Sequence, residues 1–230
     1  MSRPFKIEFL ANGQHASDST VDSWELHASR RALMNIKTFL FQQPMLDLLK
    51  PQIEAGDAYF HSLVAASNGK YRECRTDLKV SGITATRILE TRMQWLRMSA
   101  EEMALQRLLP MHPEHYTIPH YPDGIVELIG GHMARVRIIT TDRVPEWVMD
   151  YGDAKYPKKK SAIGQIDDGA VLFYILHEFR DAESGCDIIL RLLFPDAAPE
   201  VLFKEHAEHL AIEFRAAIRR AYEDGNCSSI

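Results

Sequence analysis

Apolar residues recur at helical spacing through most of the first 110 positions and at strand spacing through much of the remainder. A short strand is expected at residues 5–10. Asp22-Ser23-Trp24-Glu25 has the form of a capping box, and apolar positions continue at helical spacing to residue 41, before Pro44. A second helix is expected over residues 45–66, with Pro51 and Gly56 as its points of disturbance. Residues 68–76 are polar and predict a loop. A third helical stretch covers residues 84–109. Within it Ser99-Ala100-Glu101-Glu102 repeats the capping pattern, so two helices should join near Met98.

Beyond Pro110 the period changes. Residues 125–128 and 134–140 alternate, and Gly130-Gly131 between them predicts a hairpin turn. Residues 142–168 read as a long connection, in which Lys158-Lys159-Lys160 is expected to be a solvated loop. Two strong strands follow at residues 170–180 and 186–194, then one helix over residues 200–222. Helices first, antiparallel strands next and one long closing helix define an α+β protein. The expected division is a mainly helical region at 1–110 and a sheet-plus-helix region at 111–230, joined in one compact unit. A curved antiparallel sheet wrapped on the last helix would leave a ligand cavity between them.

Charge narrows the function classes. With 27 Lys and Arg against 32 Asp and Glu, the net charge is −5, which disfavours a general nucleic-acid binder. The longest apolar run, residues 170–176, is too short for a bilayer, which needs about 20 residues. The opening MSRPFKIEFLANG lacks the apolar core of a secretory signal. Cys74, Cys186 and Cys227 are widely spaced and free of CxxC, so a reduced, cytoplasmic setting is expected rather than a disulfide scaffold. Trp24, Phe39 and Phe41 fit core packing or, alternatively, a homodimer face.

The closing helix carries the most chemistry. Phe203, Ala207, Leu210, Phe214 and Ile218 form one apolar stripe, and His206, His209 and Glu213 cluster on its shoulder. His209 and Glu213, at i and i+4, can grip one metal ion from a single helix, with His206 as an alternate. A solvated helix face is the competing explanation. Further ligands are available in His112-Pro113-Glu114-His115-Tyr116 and in Glu127. Glu127 shares a strand face with Ile125 and Ile129, where an unpaired carboxylate is expensive; a metal or a buried arginine would account for it equally. His177 shares a face with Phe173, Ile175 and Phe179 and is a candidate acid or base, or a satisfied core histidine. Tyr116, Tyr121 and Tyr174 are candidate donors to phenolic oxygens, or packing residues.

Four segments together, MQWLRMSAEEMALQRLLPMHPEHY, VELIGG, HEFRDAESGCDIILRLLFP and HLAIEF, resemble the diacetylphloroglucinol hydrolase and phloretin hydrolase family. The likeness covers residues 92–222 and lies in the order of an aromatic helix, a proline-and-histidine loop, a V-x-E-x-x-G strand and a final HxxxE helix. It departs where Leu210 replaces a cysteine expected after the helix histidine, and where His112 and His115 compete for one role. The resemblance implies a Bet v 1/START-like fold and a zinc-dependent hydrolase that cleaves a carbon–carbon bond between an acyl group and a phenolic ring. It implies His115, Glu127, His209 and Glu213 as the zinc ligands, with His112 and His206 as alternates, and a small aromatic or polyketide-like substrate. Two readings of other classes compete: a metal-free START-like binding protein, and a polyketide-type cyclase or isomerase that uses His177 or the loop histidines. Chelation separates them, since neither needs a metal.

Overall fold

Ser17, in extended backbone, accepts the amide of Thr20 and starts a helix one turn earlier than the Asp22 pattern suggested. In this computed structural model, which describes residues 7–119 and 124–227, that helix is α1 (Asp18–Phe39). Before it lies a hairpin, β1 (Phe9–Ala11) and β2 (Gln14–Ala16), turning over Asn12-Gly13, both at positive φ; the strand expected at 5–10 falls partly outside the described residues.

Helix α2 (Gln43–Ala66) takes Pro44 in its first turn, where the missing N–H costs nothing, and runs through Pro51 and Gly56 without a break. Gly56 has a packing reason. A Cβ there would stand 1.9 Å from the Met133 carbonyl oxygen, so only glycine lets the helix lie this close to the sheet.

The polar stretch after α2 is a strand, not a loop: β3 (Tyr71–Ser81) pairs antiparallel along its whole length with β9 (Gly185–Pro195). It is the edge strand of the sheet, so its outward residues remain polar while Cys74 is buried. Helix α3 (Ala85–Trp95) is capped by Thr84. Ser99 and Glu102 close a complete capping box on α4 (Ala100–Met103), which continues as a π-helical turn, Ala104–Leu108, and α5 (Leu109–Met111). The predicted junction near Met98 is therefore present.

The remaining elements are β4 (His115–Thr117), β5 (Ile125–Ile129), β6 (His132–Thr140), α6 (Glu146–Met149), β7 (Lys158–Gln165), β8 (Val171–Ala182) and α7 (Glu200–Cys227). Gly130 and Gly131, at φ 56° and 79°, make the β5–β6 turn. The three lysines expected in a solvated loop lie in β7 instead, paired with β8. A run of like charges carries no alternation; the partner that accommodates it, Glu178, stands on the neighbouring strand.

Seven strands form one antiparallel sheet, in the order β3-β9-β8-β7-β6-β5-β4, so the first 110 residues contribute an edge strand to it. The sheet is curled and carries α7 on its inner face. Phe173, Phe179, Ile188, Leu190 and Phe194 meet Leu210, Phe214 and Ile218 there, each large side chain stabilising the fold by about 1.5–3 kcal/mol. On the other face, Met45, Leu49 and Ile53 of α2 cover Val126 and Met133. A smaller outer cluster joins Val148, Leu176 and Leu193 to Tyr71 and Tyr174. Cys74 and Cys186 are buried free thiols, and among the described residues no helix is long and apolar enough to cross a membrane.

Candidate metal centre

Proline shapes the loop at the head of the site. The residue before a proline is driven from helical to extended backbone, and His112, before Pro113, sits at φ −137°, ψ 139°. The helix stops, the chain turns over Pro113 and Glu114, and the amide of His115 donates to the His112 carbonyl at 3.2 Å. His115 then opens β4 with its side chain directed inward, 2% exposed. Its cross-strand partner is Glu127 of β5, and partners of this kind share one face of the sheet.

Four side chains meet under α7. The Nε2 atoms of His115 and His209 are 3.1 Å apart, and Glu127 Oε2 lies 3.5 Å from each of them. His112 stacks on His209, ring centres 3.6 Å apart and planes at 21°. The buried triad His112, His115 and His209 brings one ring nitrogen from each within 4.8 Å of the others, close enough to hold a metal ion.

Proton accounting separates the three histidines. The Leu108 carbonyl can only accept, so His115 Nδ1, 2.8 Å away, donates to it. Burial lowers the His115 pKa to about 4, keeping the ring neutral, and its Nε2 is therefore a bare lone pair aimed at His209. A backbone carbonyl on one nitrogen and a free lone pair on the other is the arrangement a metal-binding histidine needs. His112 differs. Its Nδ1 accepts the Glu114 amide at 3.1 Å, which puts the ring proton on Nε2, an atom buried without a hydrogen-bond partner. Burial and the neighbouring histidines push its pKa down to about 2. His209 is lowered to about 4 by burial, against the opposing charge of Glu213.

Glu127 is the acidic counterpart. Burial, then the charges of Glu213 and Glu114, raise its pKa to about 8. A carboxyl in that state calls for a cation, whose charge would offset the desolvation of the ionised form. The buried-arginine explanation for Glu127 is not what the structure brings there: its close partners are the two imidazoles.

The other predicted residues divide. Glu213 is half-buried one turn beyond His209 and acts on both His209 and Glu127 through its charge. His206 is buried one turn before His209, its ring parallel to that of His209 at 5.0 Å and edge-on to Phe194. His177 faces α7 as its strand pattern suggested, edge-on to Phe214 at 5.0 Å. Its Nδ1 accepts the Arg191 amide at 3.2 Å, and burial with Arg92 and Arg191 holds its pKa at about 3. Tyr174 lies on the opposite face of β8, packed edge-on to Tyr71 and Trp147. Strand alternation decides this, since positions 174 and 177 differ by an odd number. Tyr116 alternates away from His115 in the same manner and packs beside α2. Tyr121 lies outside the described residues.

One participant is absent from the sequence-based expectations. Lys37 of α1 is 1% exposed, and its ammonium donates to the carbonyls of His112 at 3.3 Å and Pro113 at 2.6 Å. The signal was present, because Met34, Lys37 and Phe41 recur at helical spacing. Glu114 was named only as part of the His112–Tyr116 segment and given no role; its carboxylate lies 3.9 Å from His209 Nδ1. No protein-family model matches the chain, and no curated protein matches it.

Proposed function

We propose that this protein is a zinc-dependent hydrolase of the Bet v 1-like α+β type, cleaving the carbon–carbon bond between an acyl group and a phenolic ring, or a related β-dicarbonyl. The observation that carries the reading is the mutual spacing of three donor atoms from β4, β5 and α7, at 3.1, 3.5 and 3.5 Å. Ligand atoms about 2.0–2.1 Å from a tetrahedral zinc stand about 3.3 Å from one another. Two neutral imidazoles and a carboxylate are donors zinc accepts, and three protein ligands leave a position for water or substrate. The resemblance of residues 92–222 to the diacetylphloroglucinol hydrolase and phloretin hydrolase family, and a curled antiparallel sheet on a long closing helix, support the same assignment.

His115, His209 and Glu127 would hold the ion, and Glu213, one turn beyond His209 on α7, is a fourth donor that would share the remaining position with water or substrate. Bound zinc supplies Lewis acidity toward a carbonyl oxygen and a water of lowered pKa. The cleavage adds the elements of water, hydroxyl to the acyl carbon and hydrogen to the ring carbon. His177, neutral and with its remaining ring proton on Nε2, is the chain's candidate for moving that proton on the sheet side of α7. The test is elemental analysis of the protein purified without chelators, followed by assay on acylphloroglucinols. About one zinc per chain and chelator-sensitive release of the free acid are expected. Acid release that survives chelation would remove the metal from the reaction, chelator-resistant conversion without acid release would favour a cyclase or isomerase, and absence of both metal and conversion a binding protein.

A further inference from the structure

The His112–His115 turn is held from outside by a group that belongs to neither the sheet nor α7. Lys37 is the only residue of α1 that is fully buried. Met34 and Phe41, one turn to either side, pack on the main core, and between them the lysine stem carries its ammonium inward. There it meets two carbonyls in succession, those of His112 and Pro113. The His112 carbonyl is the one that also receives the His115 amide at 3.2 Å. One oxygen thus ties the turn to α1 and sets where the His115 ring enters the site. On its far side that ring is fixed by the Leu108 carbonyl at 2.8 Å. Glu114, between the two histidines, gives its amide to His112 and acts by its charge on Lys37.

We infer that Lys37 is a positioning residue for the metal centre: by holding the His112 and Pro113 carbonyls it fixes the turn that aims His115 Nε2 at His209 Nε2 and Glu127. The inference rests on the proposed metal site for its affinity readout and stands apart from it for its structural one. It gives the first ninety residues a part in the site, through a single ammonium. Partners that orient metal ligands without touching the metal commonly change affinity by about 10- to 100-fold when removed.

The test uses the full chain, as wild type, Lys37→Met, Lys37→Gln and Lys37→Arg, with Lys159→Met as a control at a partly buried, ion-paired lysine on the outer face of the sheet. Zinc affinity is read by competition with a chromophoric chelator. Histidine tautomers are read by long-range 15N–1H correlation on labelled, metal-free protein. The wild type should show His115 protonated on Nδ1 alone. Lys37→Met should lose that single tautomer and bind zinc about 10- to 100-fold more weakly while remaining folded. Arginine should recover most of both, glutamine part, and Lys159→Met should leave both as in the wild type. A folded Lys37→Met or Lys37→Gln with the wild-type His115 tautomer would overturn the inference, whatever zinc does; so would wild-type zinc affinity in those variants. A wild type that takes up no zinc yet shows the tautomer change on substitution would defeat the metal reading and leave the positioning role standing.

Discussion

Two buried polar clusters lie on opposite faces of the same sheet, and they are built on opposite principles. On the outer face Glu178, fully buried, pairs with Arg191 and Lys159, and Arg191 also pairs with Glu73. The Asp153 amide donates to Glu178 at 2.8 Å. Burial alone would push the Glu178 pKa up, but the bonds from Lys159, Arg191 and the Asp153 amide outweigh it and hold the carboxyl below its ordinary value. Every charge there faces an opposite one. On the inner face two imidazoles with lowered pKa values, with a third stacked on one of them, lie beside a carboxyl raised to about 8, and buried ring nitrogens of His112 and His209 lack hydrogen-bond partners. The outer network is electrostatically complete and serves the fold. The inner cluster gathers ring nitrogens and a carboxyl with no lysine or arginine paired to them at close range among the described residues, a donor set that could hold a metal ion.

Substitutions should separate the two clusters, and the largest effect belongs to the inner one. On the proposed function His209→Ala removes a zinc ligand, and bound zinc should then fall from about one per chain to near none, with hydrolysis down by on the order of 1000-fold or more. Elemental analysis beside a progress curve reads both, and retention of the metal would dissolve the distinction between the clusters.

Next is Glu178→Ala, which leaves Arg191 and Lys159 without their shared carboxylate. Breaking a buried pair from one side costs about 3–5 kcal/mol. Denaturant unfolding should show that loss, while zinc content of the folded variant stays as in the wild type. A variant that kept its stability and lost its metal would reverse the roles assigned here.

A pH series sharpens the contrast further. A folded-state pKa of about 8 for Glu127 lies above the ordinary carboxylate value of the unfolded chain, so the folded metal-free protein holds a proton that the unfolded chain has released. Its contribution is full below the unfolded pKa and is lost as pH rises toward 8. The lowered histidines act in the opposite sense, but below their ordinary value of about 6.5. Between roughly pH 6.5 and 8 the stability of chelated protein should therefore fall with pH, and Glu127→Gln should remove that slope. Calorimetric zinc titration in two buffers at pH 7 should also find a proton released by the wild type and none from position 127 in the variant.

The smallest effect is expected at Tyr174. It lies on the outer face, so Tyr174→Phe should leave hydrolysis within about twofold and stability within about 1 kcal/mol. A large loss of turnover there would mean that the substrate reaches a face of the sheet remote from the histidines.

Local patterns were enough for most elements. Ser99 with Glu102, Gly130-Gly131, the alternation of β8 and β9 and the stripe on α7 each declare themselves within a few residues, because capping, turn geometry and amphipathic period are short-range effects. The same locality explains the misses. Residues 68–76 look like a loop until β9 supplies the pairing of β3, and Lys158-Lys159-Lys160 look solvated until Glu178 stands opposite. Gly56 looks like a flaw in a helix until the Met133 carbonyl is found against it.

The site divides along that line. Residue type and spacing alone pointed to His209 with Glu213, to Glu127 and to the His112–His115 segment, since histidines and carboxylates beside apolar stripes are costly unless they are used; the choice of His115 within that segment came only with the family resemblance. Which of His112 and His115 presents a free lone pair depends on what each nitrogen's neighbour donates or accepts, a Leu108 carbonyl in one case and a Glu114 amide in the other. That His115 pairs with Glu127, that Tyr174 and Tyr116 turn away, and that Lys37 reaches the turn from 75 residues distant were decided by strand register and helix docking. Those are long-range choices. They depend on which surfaces meet, and a reading confined to neighbouring residues contains no measure of that.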